Sequence, residues 1–541
     1  MRVAASLALL SATAVHFRDV AGEAGLRFTI DNHATPEKHM IETMAGGLAV
    51  FDYDGDGLAD IFFTNGAEIP SLRKRAPKYW NRLYRNLGGW KFQDVTAKAG
   101  LAGEGYSMGA AAADYDNDGH IDLFVAGVHR NFLYRNRGDG TFEDVTERAG
   151  LASAEKWWSV AAGWFDFDND GHLDLWVVNY AAWTPEFDRY CGDQTRGIRI
   201  YCHPKYFEGQ PDLLYRNRGG GVFEDVSRKS GVAAHPGRGM SVAFADYDGD
   251  GLMDAFVTND NMPNYLFRNL GGGKFEEVAL LAGAALLDHG KPVASMGVDF
   301  RDYDNDGLPD LHVTALTFET FPLFRNAGAG LFRDATYMSR MGPLSVNRAG
   351  WGNCFADFNN DGWKDVFTAN SHVNDLVEKF ESTSYRQPNS LFLNTGNGRF
   401  TDVSEAAGLA KSLRAHRGSA CADFDNDGRL DVVVSALGEP AELWRNETVA
   451  GNWLIVILEG VKSNRDGIGA KVRIGNRHNH MTTAVGYASS VHAGLHFGLG
   501  EMSVVPEIEI IWPGGRKQVL RDIQGNQILT VREAARSEGV Q

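Results

Sequence analysis

Seven short acidic loops dominate the chemistry open to this chain, each reading D-x-[DN]-x-D-G-x-x-D. Their side chains are Asp52, Asp54, Asp56 and Asp60; Asp114, Asp116, Asp118 and Asp122; Asp166, Asp168, Asp170 and Asp174; Asp246, Asp248, Asp250 and Asp254; Asp302, Asp304, Asp306 and Asp310; Asp357, Asn359, Asp361 and Asp365; and Asp423, Asp425, Asp427 and Asp431. Positions 1, 3, 5 and 9 can converge on one ion if the chain turns tightly, and the glycine at position 6 permits that turn. A carbonyl at position 7 can add a fifth hard donor. Such a set, with water, suits the six to eight oxygen ligands of Ca²⁺ better than the strict octahedron of Mg²⁺. The lack of His and Cys disfavours zinc and copper. Up to seven Ca²⁺ are expected, with the sixth loop poorest because Asn359 replaces an acid. The loops are not EF-hands: position 12 is Phe63, Val125, Val177, Val257, Val313, Thr368 or Val434, not glutamate. A metal-free Asx-turn network would instead crowd like charges together in seven places.

Six loops with four acids and one with three hold 27 of the 70 Asp and Glu. Seven divalent ions would bring the formal charge of −17 close to neutral. An acidic chain has nothing to replace the counterions around phosphates, so nucleic acid is not an expected partner. The 43% hydrophobic and 23% charged composition is that of a folded protein, and 63 glycines suit many tight turns.

Two further elements repeat in step with the loops. L-[YFW]-[RL]-N ends at Asn86, Asn136, Asn217, Asn269, Asn326, Asn394 and Asn446. F-x-[DE]-[VA] starts at Phe17, Phe92, Phe142, Phe223, Phe275, Phe332 and Phe400. An apolar run leads into each loop, a β-branched and aromatic run follows it, and the two motifs then pair across a glycine turn. That makes four strands per unit. The chain begins with F-x-D-V and its last unit stops at L-W-R-N, so the N-terminal strand supplies what the last unit lacks and removes the free edge. The expected fold is all-β: a seven-bladed β-propeller over 15–446, closed by the N-terminal strand, with few and short helices. Short apolar strands from Asn452 to Arg532 predict a separate small β domain within 447–533, followed by a disordered tail, 534–541.

The N-terminus combines Arg2, the apolar run Val3 to Leu10 and the Ala12-Thr13-Ala14 pattern of a secretory signal over 1–14. No other stretch is long and apolar enough to cross a membrane, so a secreted or periplasmic protein is expected. Cys191 and Cys202 lie close enough to staple one insertion by a disulfide. Cys354 and Cys421 sit in apolar strand patterns and read as buried free thiols.

The loops resemble the FG-GAP (VCBS) repeats of integrin-α-like propellers. The C-terminal motifs NRDGIGAKV from Asn464, GYASS from Gly486, LHFGLG from Leu495 and WPGG from Trp512 resemble the ASPIC/UnbV domain that follows such repeats in the cartilage acidic protein family. Gly514 departs from the expected W-P-S-G. His492 and His496 read as structural.

Long insertions at Gly66–Asn81, Tyr180–Asp212 and Ser371–Ser390 lie, by strand alternation, on the face opposite the acidic loops. Function in such scaffolds sits on loops. Polar residues flanking that face include His39, Glu42, Arg130, Lys156 and Asp260. The candidate ligand-binding residues are Arg238, Arg348, His372, His416 and Arg417, which could hold an anion or a sugar. No nucleophile elbow, zinc motif, P-loop or dinucleotide fingerprint is present. An exported binding or adhesion module for a glycan or protein is the leading expectation, with no catalytic residue assigned. An enzyme of lyase, cyclase or oxidase type working at the same mouth is the alternative. A deep pocket gathering His416, Arg417, Arg348 and His372 would favour the enzyme; a shallow aromatic groove near Trp157–Trp158 and Tyr180–Trp183 would favour binding.

Overall fold

The computed structural model describes residues 15–187 and 189–535; the expected leader lies outside them, as do residues 536–541 of the expected tail. Seven four-stranded antiparallel units follow one another. In blade 2 the strands are Tyr106–Ala113, Asp122–Val128, Phe132–Asn136 and Phe142–Asp144. The acidic loop joins the first strand to the second, and the glycine turn joins the third to the fourth. The inner strands Leu48–Phe51, Tyr106–Ala113, Ser159–Phe165, Gly239–Ala245, Val298–Arg301, Gly350–Ala356 and His416–Ala422 adjoin in cyclic order, the seventh meeting the first. Nearly every residue of these strands is buried, as expected where blade packs on blade. Helices are single turns such as Thr96–Ala99, ended by left-handed Gly100.

Phe17–Asp19 pairs with Glu442–Asn446 and completes blade 7. Phe17 lies opposite Asn446, as Phe142 lies opposite Asn136 in blade 2. The split repeat therefore restores the standard register at the seam, and no inner sheet edge remains there.

Two expectations need correction. Cys354 and Cys421 are not free: they form a disulfide across the inner strands of blades 6 and 7. Ring packing sets these strands side by side, so cysteines 67 positions apart meet. The C-terminal region is also not separate from the propeller. It builds a three-stranded sheet around Asn452–Glu459 and a four-stranded sheet around Val504–Ile511. Its hairpin Ala484–Val485 and Ser489–His492, however, enters the central channel. Ser489–His492 runs parallel to Leu48–Phe51, pairing Val50 with Val491. Gly486 exchanges hydrogen bonds with Val298 in blade 5 (2.9 and 3.2 Å), Ala110 N in blade 2 donates to Ala488 O (3.1 Å), and Ala488 N donates to Ser241 Oγ in blade 4 (3.2 Å). A Cβ on Gly47 would lie 2.1 Å from the Ala488 carbonyl, so that close approach requires glycine. Tyr487, fully buried, donates to Met44 O at 2.6 Å.

Candidate functional site

The acidic loops are built from the backbone inward. The position-1 aspartate accepts the amide of the position-6 glycine, as Asp114 Oδ2 does from Gly119 at 2.7 Å. The position-9 aspartate is held by two amides: Asp174 accepts from Asn217 N (2.8 Å) and Phe167 N (3.1 Å). The same Asn217 side chain donates to Tyr115 O of the preceding loop at 2.9 Å. All seven L-x-x-N asparagines repeat this bolt, and Asn86 to Phe424 O (2.8 Å) carries it across the seam.

Charge is partly balanced within blades 1, 2, 3, 5 and 7, whereas Arg268 of blade 4 pairs with Glu276. The arginine of L-Y-R-N reaches the position-3 acid: Arg85 to Asp54, Arg135 to Asp116 and Arg216 to Asp168, each at 2.6 Å, and Arg325 to Asp304 at 2.5 Å. In blade 6, where Asn359 removes that acid, Leu393 stands in place of the arginine. One pairing partner is absent together with the other.

The donor set fits a cation despite these arginines. In loops 1 to 5, oxygens from three aspartates lie within 4.8 Å of one another. The position-3 Oδ1 atoms of Asp54, Asp116, Asp168, Asp304 and Asp425 are buried and accept no hydrogen bond. Burial, with neighbouring carboxylates adding to it, raises Asp60 to about 8 and Asp114 and Asp166 to about 7. A hard divalent ion would take up the unpartnered oxygens and keep these groups ionised.

The C-terminal sheets cover this face. Asp466 Oδ2 accepts the Asp114 amide at 2.9 Å, and Lys471 Nζ lies 2.6 Å from Asp246 Oδ2. A Cβ on Gly362 would meet Arg477 at 2.3 Å, and one on Gly428 would meet Trp453 at 1.9 Å. The position-6 glycine thus serves close approach as well as the turn, where its φ is 93° at Gly362 and 84° at Gly428. Position 4 is Gly or Asn for a related reason: Asn117, Asn169, Asn305, Asn360 and Asn426 all have φ near +60°. His492 and His496 bind within the fold, to Asp466 (3.1 Å) and Gly428 O (3.1 Å).

The opposite mouth holds a cavity of about 600 Å³. The blade 3 insertion walls it through Arg189, Tyr190, Tyr201, His203 and Tyr206, closed on itself by the Cys191–Cys202 disulfide (2.02 Å). The blade 6 insertion contributes His372 and Asn374, and the turn Met40–Thr43 contributes Met40 and Thr43. The first insertion, Gly66–Asn81, contributes no lining residue. Met240, Met296 and Trp351 form the floor. Three acids lie around it, Asp260 and Glu42 buried and Glu319 half-buried. Asp260 accepts from Tyr180 Oη at 2.7 Å, Glu319 from Ala294 N at 2.9 Å, and Glu42 from Tyr201 Oη at 3.0 Å. Burial raises the pKa of all three.

The five candidate ligand residues separate. His372 lines the cavity; burial lowers its pKa, and its Nδ1 accepts the Asn374 amide at 3.0 Å. Arg417 is fully buried beside the floor, with its guanidinium 4.0 Å above the Trp351 ring. The other three are not cavity-lining. His416 faces buried Glu442 at 3.1 Å, Arg348 lies 3.9 Å from Asp402, and Arg238 donates to Phe207 O at 3.2 Å. Trp158 and Tyr180 are core residues, not a groove. Neither arrangement expected to separate enzyme from binder is present. The residues missed in sequence, Met240, Met296 and Trp351, share one signal. Each stands six places before a position-1 aspartate, where the other blades carry Gly46, Met108, Val160 and Arg417.

Two family models match this chain, one along its repeats and one over its C-terminal region. A model of the FG-GAP-like repeat matches residues 52–125, 114–177, 206–257, 247–313, 302–368 and 379–434. One described as ASPIC and UnbV matches residues 460–538. Cartilage acidic protein 1 of Mus musculus is 26% identical over 523 residues, covering 90% of this chain and 73% of its own. Its Homo sapiens counterpart is 25% identical over 524 residues, covering 90% and 71%. Among solved structures, an Agrocybe aegerita lectin that recognises terminal N-acetylglucosamine aligns with a TM-score of 0.40 at 15% identity, over 73% of this chain and 87% of the lectin. YCF48 bound to D1 peptide aligns at 0.42 and 8% identity, over 81% and 99%. No helix among the described residues is long and apolar enough to cross a membrane. With repeat matches running through all seven acidic loops and the second model matching the region that plugs their ring, this chain belongs to the FG-GAP-like repeat family and carries a C-terminal ASPIC and UnbV domain.

Proposed function

We propose that this protein is an exported, calcium-stabilised propeller that binds a small polar ligand, of glycan or similar class, in its mouth cavity. The observation carrying the reading is that cavity: about 600 Å³, walled by two long insertions and floored by inner-strand side chains. Its size is usual for small-molecule pockets, and its lining joins Tyr201, Met240 and Trp351 to polar groups such as Asn261, His372 and Asn374. The acidic loops act as scaffold. Their unpartnered position-3 oxygens support Ca²⁺ in loops 1, 2, 3, 5 and 7. The two disulfides support an oxidising compartment.

Two measurements test this. Chelation by EGTA should lower the Tm, with recovery as Ca²⁺ rises through roughly 10⁻⁴ to 10⁻³ M, the range of extracellular modules. An unchanged Tm removes the calcium reading. A glycan and metabolite binding screen on the full chain, with and without chelator, should find a ligand that the Cys191→Ser/Cys202→Ser variant binds more weakly. A screen without any binder removes the cavity reading, and turnover of a bound ligand replaces it with an enzyme.

A further inference from the structure

Arg417 stands apart from the other cations. It is the only arginine or lysine among the described residues with no exposed surface. It occupies the seventh copy of a position whose six other copies are Gly46, Met108, Val160, Met240, Met296 and Trp351, all without charge. The inner strand of blade 7 carries a bulge between His416 and Ser419, and a bulge re-aims the side chain it holds. Gly46 makes room beside it: a Cβ there would lie 2.6 Å from Arg417 Cβ.

The guanidinium is only partly satisfied. Nε donates to Thr43 O at 2.6 Å, and Nη1 donates to His416 O at 2.7 Å and to Ser371 Oγ. Nη2 makes no hydrogen bond within 3.5 Å among the described residues, although the Tyr385 phenol interacts with the guanidinium at longer range. Its surroundings are Trp351 and the phenols of Tyr201, Tyr385 and Tyr487, with no carboxylate in an ion pair. Lys74, also deep in the fold, differs: its ammonium donates to the carbonyls of Asn65, Gly66 and Tyr79 at 2.5 to 2.8 Å. A buried charge without a counter-charge is costly and calls for one. None of the described acidic side chains forms an ion pair with it, and the Glu42 carboxylate is engaged by the Tyr201 phenol.

Two of the groups touching Arg417, Thr43 and Trp351, are themselves cavity wall, and His372 lines the same side. Of the acids lining the cavity, Asp260 is bonded to Tyr180 and Asn261 and Glu319 to the amides of Ala294 and Leu316, while Glu381 is exposed to solvent. We infer that the cavity takes an organic acid, whose carboxylate lies against the Thr43–Trp351–His372 wall as the counter-charge of Arg417 and whose body packs on Trp351 and the lining tyrosines. Direct contact with Nη2 is not required, since an opposite charge within about 4–6 Å already stabilises a buried ion.

This rests on the reading of the cavity as a ligand site, and matched probes separate the two. The full Ca²⁺-loaded chain is titrated calorimetrically, at fixed ionic strength, with glucuronate against glucose and with benzoate against benzamide. The acid of at least one pair should bind about tenfold or more tighter than its neutral partner. Arg417→Met should abolish that preference, and Arg417→Lys should keep part of it. Equal binding of acid and neutral partner overturns the inference while leaving the cavity reading in place. Absence of binding by both acids also overturns it, whatever the wider screen finds. Retention of the preference by a folded Arg417→Met variant does the same. If that variant does not fold, the acid-against-neutral comparison on the unmodified chain still decides.

Discussion

Glu442 is an acid whose partners are all in place. It is fully buried and accepts from Asn389 Nδ2 (2.8 Å), Trp444 Nε1 (2.7 Å) and Ser412 Oγ, with His416 Nε2 at 3.1 Å and Arg414 Nε at 3.3 Å. Burial alone would raise its carboxyl, but the charge and hydrogen bond of His416, then Ser412 and Arg414, outweigh it and hold the group at about 2, against 4.5 unfolded. A depressed folded pKa contributes stability that is complete above the unfolded value and is lost as pH falls through the folded one. Between pH 4.5 and 2 the protein should therefore lose on the order of 2–3 kcal/mol from this site. Urea unfolding across that window should show a flatter acid limb for Glu442→Gln, which should also be less stable at pH 7. Parallel limbs would show that the site is not coupled to folding. His416 was read from sequence as a ligand group and is instead a partner in this buried network. A titratable side chain at the edge of an inner-strand bulge looks the same on paper whether it faces a cavity or a neighbouring blade.

At the scale of elements, the hairpin from Ala484 to His492 is the part no repeat announces. Its sequence is short and made mostly of small residues, with Gly486 its one glycine, yet its backbone bonds to blades 1, 2, 4 and 5, and its Tyr487 ring packs edge-on against Trp351 at 4.9 Å. Truncating a buried aromatic of this kind costs about 3–5 kcal/mol. Tyr487→Ala should lower the Tm of the whole chain in a single cooperative transition, because the hairpin is channel filling and not the edge of an independent unit. A separate low-temperature transition in calorimetry, with the propeller melting unchanged, would instead mean that the domain unfolds alone. The same cover explains why Trp453 and Arg477 can lie over position-6 glycines of the acidic loops.

At the scale of the whole molecule, stability depends on closing a ring whose ends are 429 residues apart at the Arg18–Glu447 contact, 2.8 Å. Deleting residues 1–20 removes Phe17–Asp19, leaves Glu442–Asn446 as an open edge, and unfastens Val20 N from Leu443 O. An exposed edge strand invites pairing with another chain. The truncated protein should thus show a lower Tm and self-association in light scattering, both rescued by adding back the strand as a peptide. A monomeric, equally stable truncation would show that the seam contributes little.

Repetition made much of this legible from residues alone. D-x-D-x-D-G-x-x-D, L-Y-R-N and F-x-D-V encode local turns and alternations that hold wherever they occur, and their offset at the two termini encodes closure. The cost of left-handed backbone at positions 4 and 6 is likewise a local fact, visible as Asn or Gly. What only the tertiary structure decided has no local signature. The Cys354–Cys421 bond, the plugging of the channel by GYASS and the gathering of Met40, Tyr201, Met240 and Trp351 around one cavity join segments far apart in the chain. Their energies come from packing between blades, which depends on which surfaces the closed ring brings together. Arg417 stands between the two: the aligned loops mark it as the one charged copy of its position, but only the fold shows that it is buried without a counter-charge.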